Sequence, residues 1–75
     1  MYNIFSKYER ELQYILRELK NFLANNYKDA AHDYREQLGQ KSEEYYTAGL
    51  LPYRRYLHYR KLYQEYSQKM KDYHH

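Results

Sequence analysis

Leu23-Ala24-Asn25-Asn26-Tyr27-Lys28-Asp29 is the stretch that decides how many helices the chain forms. Asparagine tolerates the left-handed backbone that ends a helix, and it also serves as the N-cap of a following one. With Asn26 as N-cap, Asp29 takes the third helical position, where a carboxylate suits the positive end of the helix dipole. This reading predicts a tight turn between two helices, and with it an all-α, three-helix up-down-up bundle. The alternative lets one helix run through, because an interior asparagine costs only a fraction of a kcal/mol. A helix from about residue 3 to 48 would then form a long hairpin with the last helix, and that hairpin would have to dimerise to cover its first half.

Upstream of the turn, Phe5, Tyr8, Leu12, Ile15, Leu19 and Phe22 recur at alternating steps of three and four. That is a heptad seam, and Leu16 and Leu23 widen it into the stripe of a helix packed on a globular core. Ser6 and Glu9 have the spacing of a capping box, with a start near Asn3 as the competing choice. The first helix is therefore expected over about 3–25.

Downstream, Tyr27, Ala31, Tyr34, Leu38, Tyr45 and Ala48 repeat the pattern, with a polar slot at Lys41 and Ser42. Gly39 lies inside this segment, predicted over about 27–48. A mid-helix glycine costs about 1 kcal/mol relative to alanine, so it marks either a kink or a close approach by another helix. Thr47-Ala48-Gly49-Leu50-Leu51-Pro52 is the clearest boundary. Gly49 suits the position just past a helix end, Leu50 is placed to pack back, and Pro52 suits the first turn of the next helix. The third helix is expected over about 52–73, with a seam of Tyr56, Tyr59, Tyr63, Tyr66, Met70 and Tyr73.

The chain has 75 residues, which allows one helical domain (1–75) with a small core. Chains of this size usually gain stability from disulfides, metals or oligomerisation. There is no cysteine, so oligomerisation is the compensation to expect. Thirteen tyrosines, two phenylalanines and no tryptophan give an aromatic content that disordered chains lack, even at a mean hydropathy of -1.28. No apolar run is long enough to span a membrane, and the N-terminus lacks the basic-then-apolar order of a secretory signal. A cytoplasmic protein is expected.

The parts needed for catalysis are missing. Ser6, Ser42 and Ser67 have no glycine-rich elbow beside them, and Gly39 and Gly49 are too isolated to cradle a phosphate. Glu43 and Glu44 are adjacent, so on a helix they point apart. Asp29 and His32 lie one turn apart, but they form a single pair, short of a metal-ligand set, and His74-His75 sit at the end of the chain. Neither an enzyme nor a cofactor is expected.

Charge is uneven. Residues 1–49 carry seven bases and eight acids, whereas residues 50–75 carry six bases and two acids. Interfaces are enriched in Tyr and Arg, and the third helix has both. It is therefore expected to form a protein–protein contact, as a homodimer seam or a partner site, through Tyr56, Tyr59, Tyr63 and Tyr66, with Arg55 and Arg60 flanking. A membrane-surface role is less well supported, because tyrosine inserts weakly. The alternative function is nucleic-acid binding through Arg54, Arg55, Arg60 and Lys61, with cations for phosphate and rings for stacking. No helix-turn-helix spacing, zinc finger or RNA-recognition motif supports it.

Overall fold

A computed structural model describes residues 6–73, and these form a bundle of three α-helices: α1 (Lys7–Ala24), α2 (Lys28–Thr47) and α3 (Tyr53–Lys69). Helix α2 is the shared partner. It packs along both α1 and α3, while α1 and α3 meet over a smaller contact. The chain is accordingly elongated, with a radius of gyration of 12.8 Å, against about 11 Å for a compact chain of this length.

Ser6 is the N-cap of α1: its backbone is extended and its hydroxyl accepts from the Glu9 amide at 3.2 Å. The competing start near Asn3, and the seam position of Phe5, lie outside the described residues. Leu12, Ile15, Leu16 and Leu19 are buried as the stripe predicts, and Tyr8, Phe22 and Leu23 pack on its edges. Each fully buried aliphatic side chain of this kind contributes about 1.5–3 kcal/mol.

The chain turns at Asn25-Asn26, which excludes the uninterrupted helix. The geometry differs from the predicted N-cap. Asn26 adopts a left-handed backbone (φ 60°) and closes α1 instead of opening α2. The Asn26 amide donates to the Leu23 carbonyl and the Tyr27 amide to the Phe22 carbonyl, the double bond of a Schellman closure. The Tyr27 ring meets Phe22 at 6.2 Å, the apolar contact that accompanies such a closure. Tyr27 is thus the residue before α2 and offers no side-chain cap, and Asp29 falls at the second helical position, not the third.

The same closure recurs at the second junction. Gly49 has φ 76°, its amide donates to the Tyr46 carbonyl, and the Leu50 amide donates to the Tyr45 carbonyl. Here the expected apolar residue is wrong by one: Leu50 stays exposed and Leu51 is buried in the core. Pro52 likewise sits one place earlier than predicted, as the N-cap of α3.

Helix α3 ends at Lys69, four residues short of expectation. Residues 70–72 turn, yet the seam continues, because Met70 is buried and Tyr73 packs on the core. Three contacts with the α1–α2 junction and the first turns of α2 hold the turned segment. The Tyr73 hydroxyl donates to Asn26 Oδ1 at 2.9 Å, His32 Nε2 bonds the Tyr73 carbonyl, and the Lys28 ammonium lies 5.4 Å from the Tyr73 ring centre.

Candidate interaction surface

The four seam tyrosines of α3 have different surroundings. Tyr59 is fully buried. Its hydroxyl donates to Glu9 Oε2 at 3.0 Å and accepts from Gln13 Nε2 at 2.8 Å. Arg55 Nε donates to the same Glu9 oxygen at 2.5 Å, and its guanidinium lies 5.6 Å from the Tyr59 ring centre. Two expected interface residues therefore bind α1 of their own chain. Burial above all, with the Glu9 charge adding, raises the Tyr59 pKa above its ordinary value. For Arg55, burial is the largest single influence and acts downward, but the bonds and charges of Glu9 and Tyr59 together outweigh it and the pKa is raised. Breaking a buried ion pair costs about 3–5 kcal/mol; with a third of the Arg55 side chain still in water, the cost here is nearer 2 kcal/mol.

Tyr63 lies flat over Gly39. A Cβ at position 39 would come within 2.7 Å of Tyr63 Cε1, so the glycine marks a close helix approach. The Arg35 and Arg60 guanidiniums lie 5.9 and 5.6 Å from this ring's centre. Tyr66 is half-buried beside Lys69, and burial followed by the Glu65 charge raises its hydroxyl pKa.

Tyr56 belongs to a different group. Its hydroxyl donates to Glu43 Oε2 at 2.5 Å, a bond that heads the causes of its raised pKa. Its ring stacks on Tyr46 of α2, with centres 4.3 Å apart and an interplanar angle of 14°. Tyr53 touches both rings, at 5.7 and 6.4 Å. Tyr53 is 59% exposed, and Leu57, one turn further along α3, is 44% exposed. Tyr46, Tyr53 and Leu57, grouped around the half-buried Tyr56, thus leave an apolar patch in solvent where α2 ends and α3 begins.

Of the four cations expected to bind nucleic acid, Arg54 and Lys61 are exposed, two turns apart on α3. Among the described residues neither makes an ion pair. Arg60 leans on Tyr63 and Arg55 is engaged with Glu9, so the structure does not bring the four together as one free cluster.

Sequence reasoning missed Tyr46, Tyr53 and Leu57 as surface residues, and Glu9 as a buried one. Glu9 had a signal: Glu9, Leu12, Leu16, Leu19 and Leu23 follow the same three-four spacing as the core stripe. Exposure of Tyr46 had none, since it depends on where α3 crosses α2. Among the described residues no group of three or more His, Asp or Glu side chains could hold a metal ion. His32 instead bonds the Tyr73 carbonyl, and His74-His75 lie outside the described residues.

No family model, no curated protein and no solved structure matches the chain. Any functional reading therefore rests on its own residues.

Proposed function

We propose that this protein is a small, non-enzymatic interaction and oligomerisation module that docks through the outer surface of α3. The observation that supports this is the apolar patch of Tyr46, Tyr53 and Leu57, left in solvent around the half-buried Tyr56 although the bundle already has a buried core. Exposed aromatic clusters flanked by arginine are where interface energy concentrates. Arg54, Arg60 and Lys61 provide the polar rim. The cytoplasm is the proposed setting, and no described helix is long and apolar enough to cross a membrane. Relative to the residues expected from sequence, the contact set shifts outward, from Tyr59 and Arg55 to Tyr53 and Leu57, with Tyr56 linking core and surface.

A photoreactive phenylalanine analogue at position 53 tests this reading in the full chain in intact cells. The control is the same analogue at position 14, where Tyr14 is 46% exposed on α1. Protein adducts, self-adducts included, are expected from position 53 and not from position 14. Equal labelling from both positions, or none from 53, refutes the reading. The second reading, nucleic-acid binding, draws on Arg54, next to Tyr53, and Lys61, two turns on, both exposed and without an ion pair among the described residues. It predicts nuclease-sensitive adducts instead, with binding that falls steeply as salt rises.

A further inference from the structure

The outer seam between α2 and α3 is an open groove of about 270 Å³. Glu36, Gly39, Gln40 and Glu43 line it from α2, and Arg60 and Tyr63 from α3. Its two walls have opposite charge. Between Lys28 and Thr47, α2 carries five acids and three bases, whereas between Tyr53 and Lys69, α3 carries five bases and one acid. On α2, Asp33, Glu36, Gln40 and Glu43 follow three-four spacing along one exposed face. Glu36 also pairs with Arg35 at 3.0 Å and Glu43 accepts from Tyr56, yet both residues remain exposed. On α3, Leu57, Arg60 and Lys61 continue the surface that begins at Tyr53.

A two-fold interface must be complementary to itself. The α2–α3 face can meet its own copy in two ways. An axis running across the helices sets α2 against α2 and α3 against α3, so that acid meets acid and base meets base. An axis running along the groove sets α2 of each copy against α3 of the other, at the same level. Acid then meets base twice, and the Tyr46–Tyr53 ends of the two copies come together. Like charges facing each other across an interface cost several kcal/mol, so the charges select the second arrangement.

We infer that a second copy of this chain occupies the α2–α3 face, related by a two-fold axis along the groove, with Glu43 of each copy opposite Arg60 and Lys61 of the other and Glu36 further along the same acidic wall. This rests on the interaction reading above and names its partner. The assembly covers Tyr53 and Leu57 and supplies the apolar burial that a 75-residue chain without disulfides otherwise lacks.

Sedimentation equilibrium on the full chain tests it, over a concentration series and with two charge-reversed chains. The wild type is expected at twice the chain mass of 9.5 kDa. Glu36→Lys with Glu43→Lys reverses one wall, and Arg60→Glu with Lys61→Glu reverses the other. Each reversed chain alone is expected to run as a monomer, its dissociation constant rising roughly tenfold or more per reversed contact. An equimolar mixture of the two is expected to recover the dimeric mass, because every wall then meets its opposite. Contacts inside each chain are unchanged by mixing, so recovery reports only the contact between copies. Circular dichroism establishes beforehand that each chain is helical. If a reversed chain unfolds, the wild-type dimer mass across a salt series decides instead, with weakening on added salt expected.

A monomeric wild type, a dimer that both reversals retain, a mixture that stays monomeric, or a dimer indifferent to salt overturns the inference. A monomer whose position-53 analogue still labels a different protein overturns it and leaves the interaction reading standing. A monomer with no protein adduct overturns both.

Discussion

The α1–α2 and α2–α3 contacts are held by different chemistry. Between α1 and α2 the core is aliphatic: Leu12, Ile15, Leu16 and Leu19 meet Ala31 and Leu38, with rings such as Phe22 and Tyr34 (5.1 Å apart) closing the edges. On the α3 side most of the large side chains are tyrosines, and two of their hydroxyls end on carboxylates. Tyr59 reaches Glu9 and Tyr56 reaches Glu43, and at the α1–α2 edge Tyr45 reaches Glu11. A tyrosine contact gives up less water than a leucine contact, and it needs a partner for every hydroxyl it buries. In this bundle, then, the first contact supplies most of the stability, while the second fixes where α3 lies and leaves aromatic surface over for docking.

The sharpest way to break this comparison is to set a buried leucine of α1 against an exposed leucine of α3. Leu12→Ala removes a fully buried side chain from α1, and about 3 kcal/mol of unfolding free energy is expected to go with it. Leu57→Ala, at a 44% exposed position on α3, is expected to change the monomer by less than about 0.5 kcal/mol. Urea denaturation of the two variants checks this. Comparable losses would mean that Leu57 is packed in the monomer and is not surface left over for docking.

A second test uses pH. Burial first, and then the Glu11 partner, push the Tyr45 hydroxyl up to about 12 from an ordinary value of 10.0. Below pH 10 the group is neutral in folded and unfolded chains, so its stabilising contribution is fully present. Between pH 10 and 12 the unfolded chain ionises while the folded one resists, and that contribution is lost. The loss attributable to this residue is on the order of 2 kcal/mol. Tyr59, Tyr56 and Tyr66 shift in the same direction, so the bundle is expected to weaken steeply in alkali. Tyr45→Phe should flatten the stability profile between pH 10 and 12 relative to wild type. An unchanged profile would remove Tyr45 from the account.

Most of the fold was legible in the sequence because the relevant signals are local. The α1 stripe, the asparagine turn and the Gly49–Pro52 boundary each follow from residues within one or two turns of each other. What escaped depends on distant neighbours. Nothing local distinguishes Leu50 from Leu51, and only the packing of the loop on the core settles which is buried. Helix α3 keeps its seam to Tyr73 but stops at Lys69, because Asn26, Lys28 and His32, more than forty residues away in sequence, hold the turned segment. The candidate site was the least legible part. Tyrosine periodicity identifies a face, but the same ring serves in a core, at an edge or in solvent. Tyr59 went to the first of these, Tyr63 to the second and Tyr53 to the third.

Gly39 provides the smallest effect and the finest discrimination. In an isolated helix, Gly39→Ala stabilises by about 1 kcal/mol. Here the new Cβ would fall 2.7 Å from Tyr63 Cε1 and 2.8 Å from Cδ1. Retreat of the ring would disturb its contacts with Arg35 and Arg60, whose guanidiniums lie 5.9 and 5.6 Å from its centre. Overpacking of this kind costs about 1–3 kcal/mol, so the substitution is expected to destabilise by about 1 kcal/mol net. With Tyr63→Ala already in place the clash is gone and only the helical preference remains, so the same change is expected to stabilise by about 1 kcal/mol. A double-mutant cycle by chemical denaturation reads this change of sign directly. If alanine at position 39 stabilises both backgrounds equally, α3 does not press on α2 at this glycine, and the tyrosine contact does not fix where α3 lies.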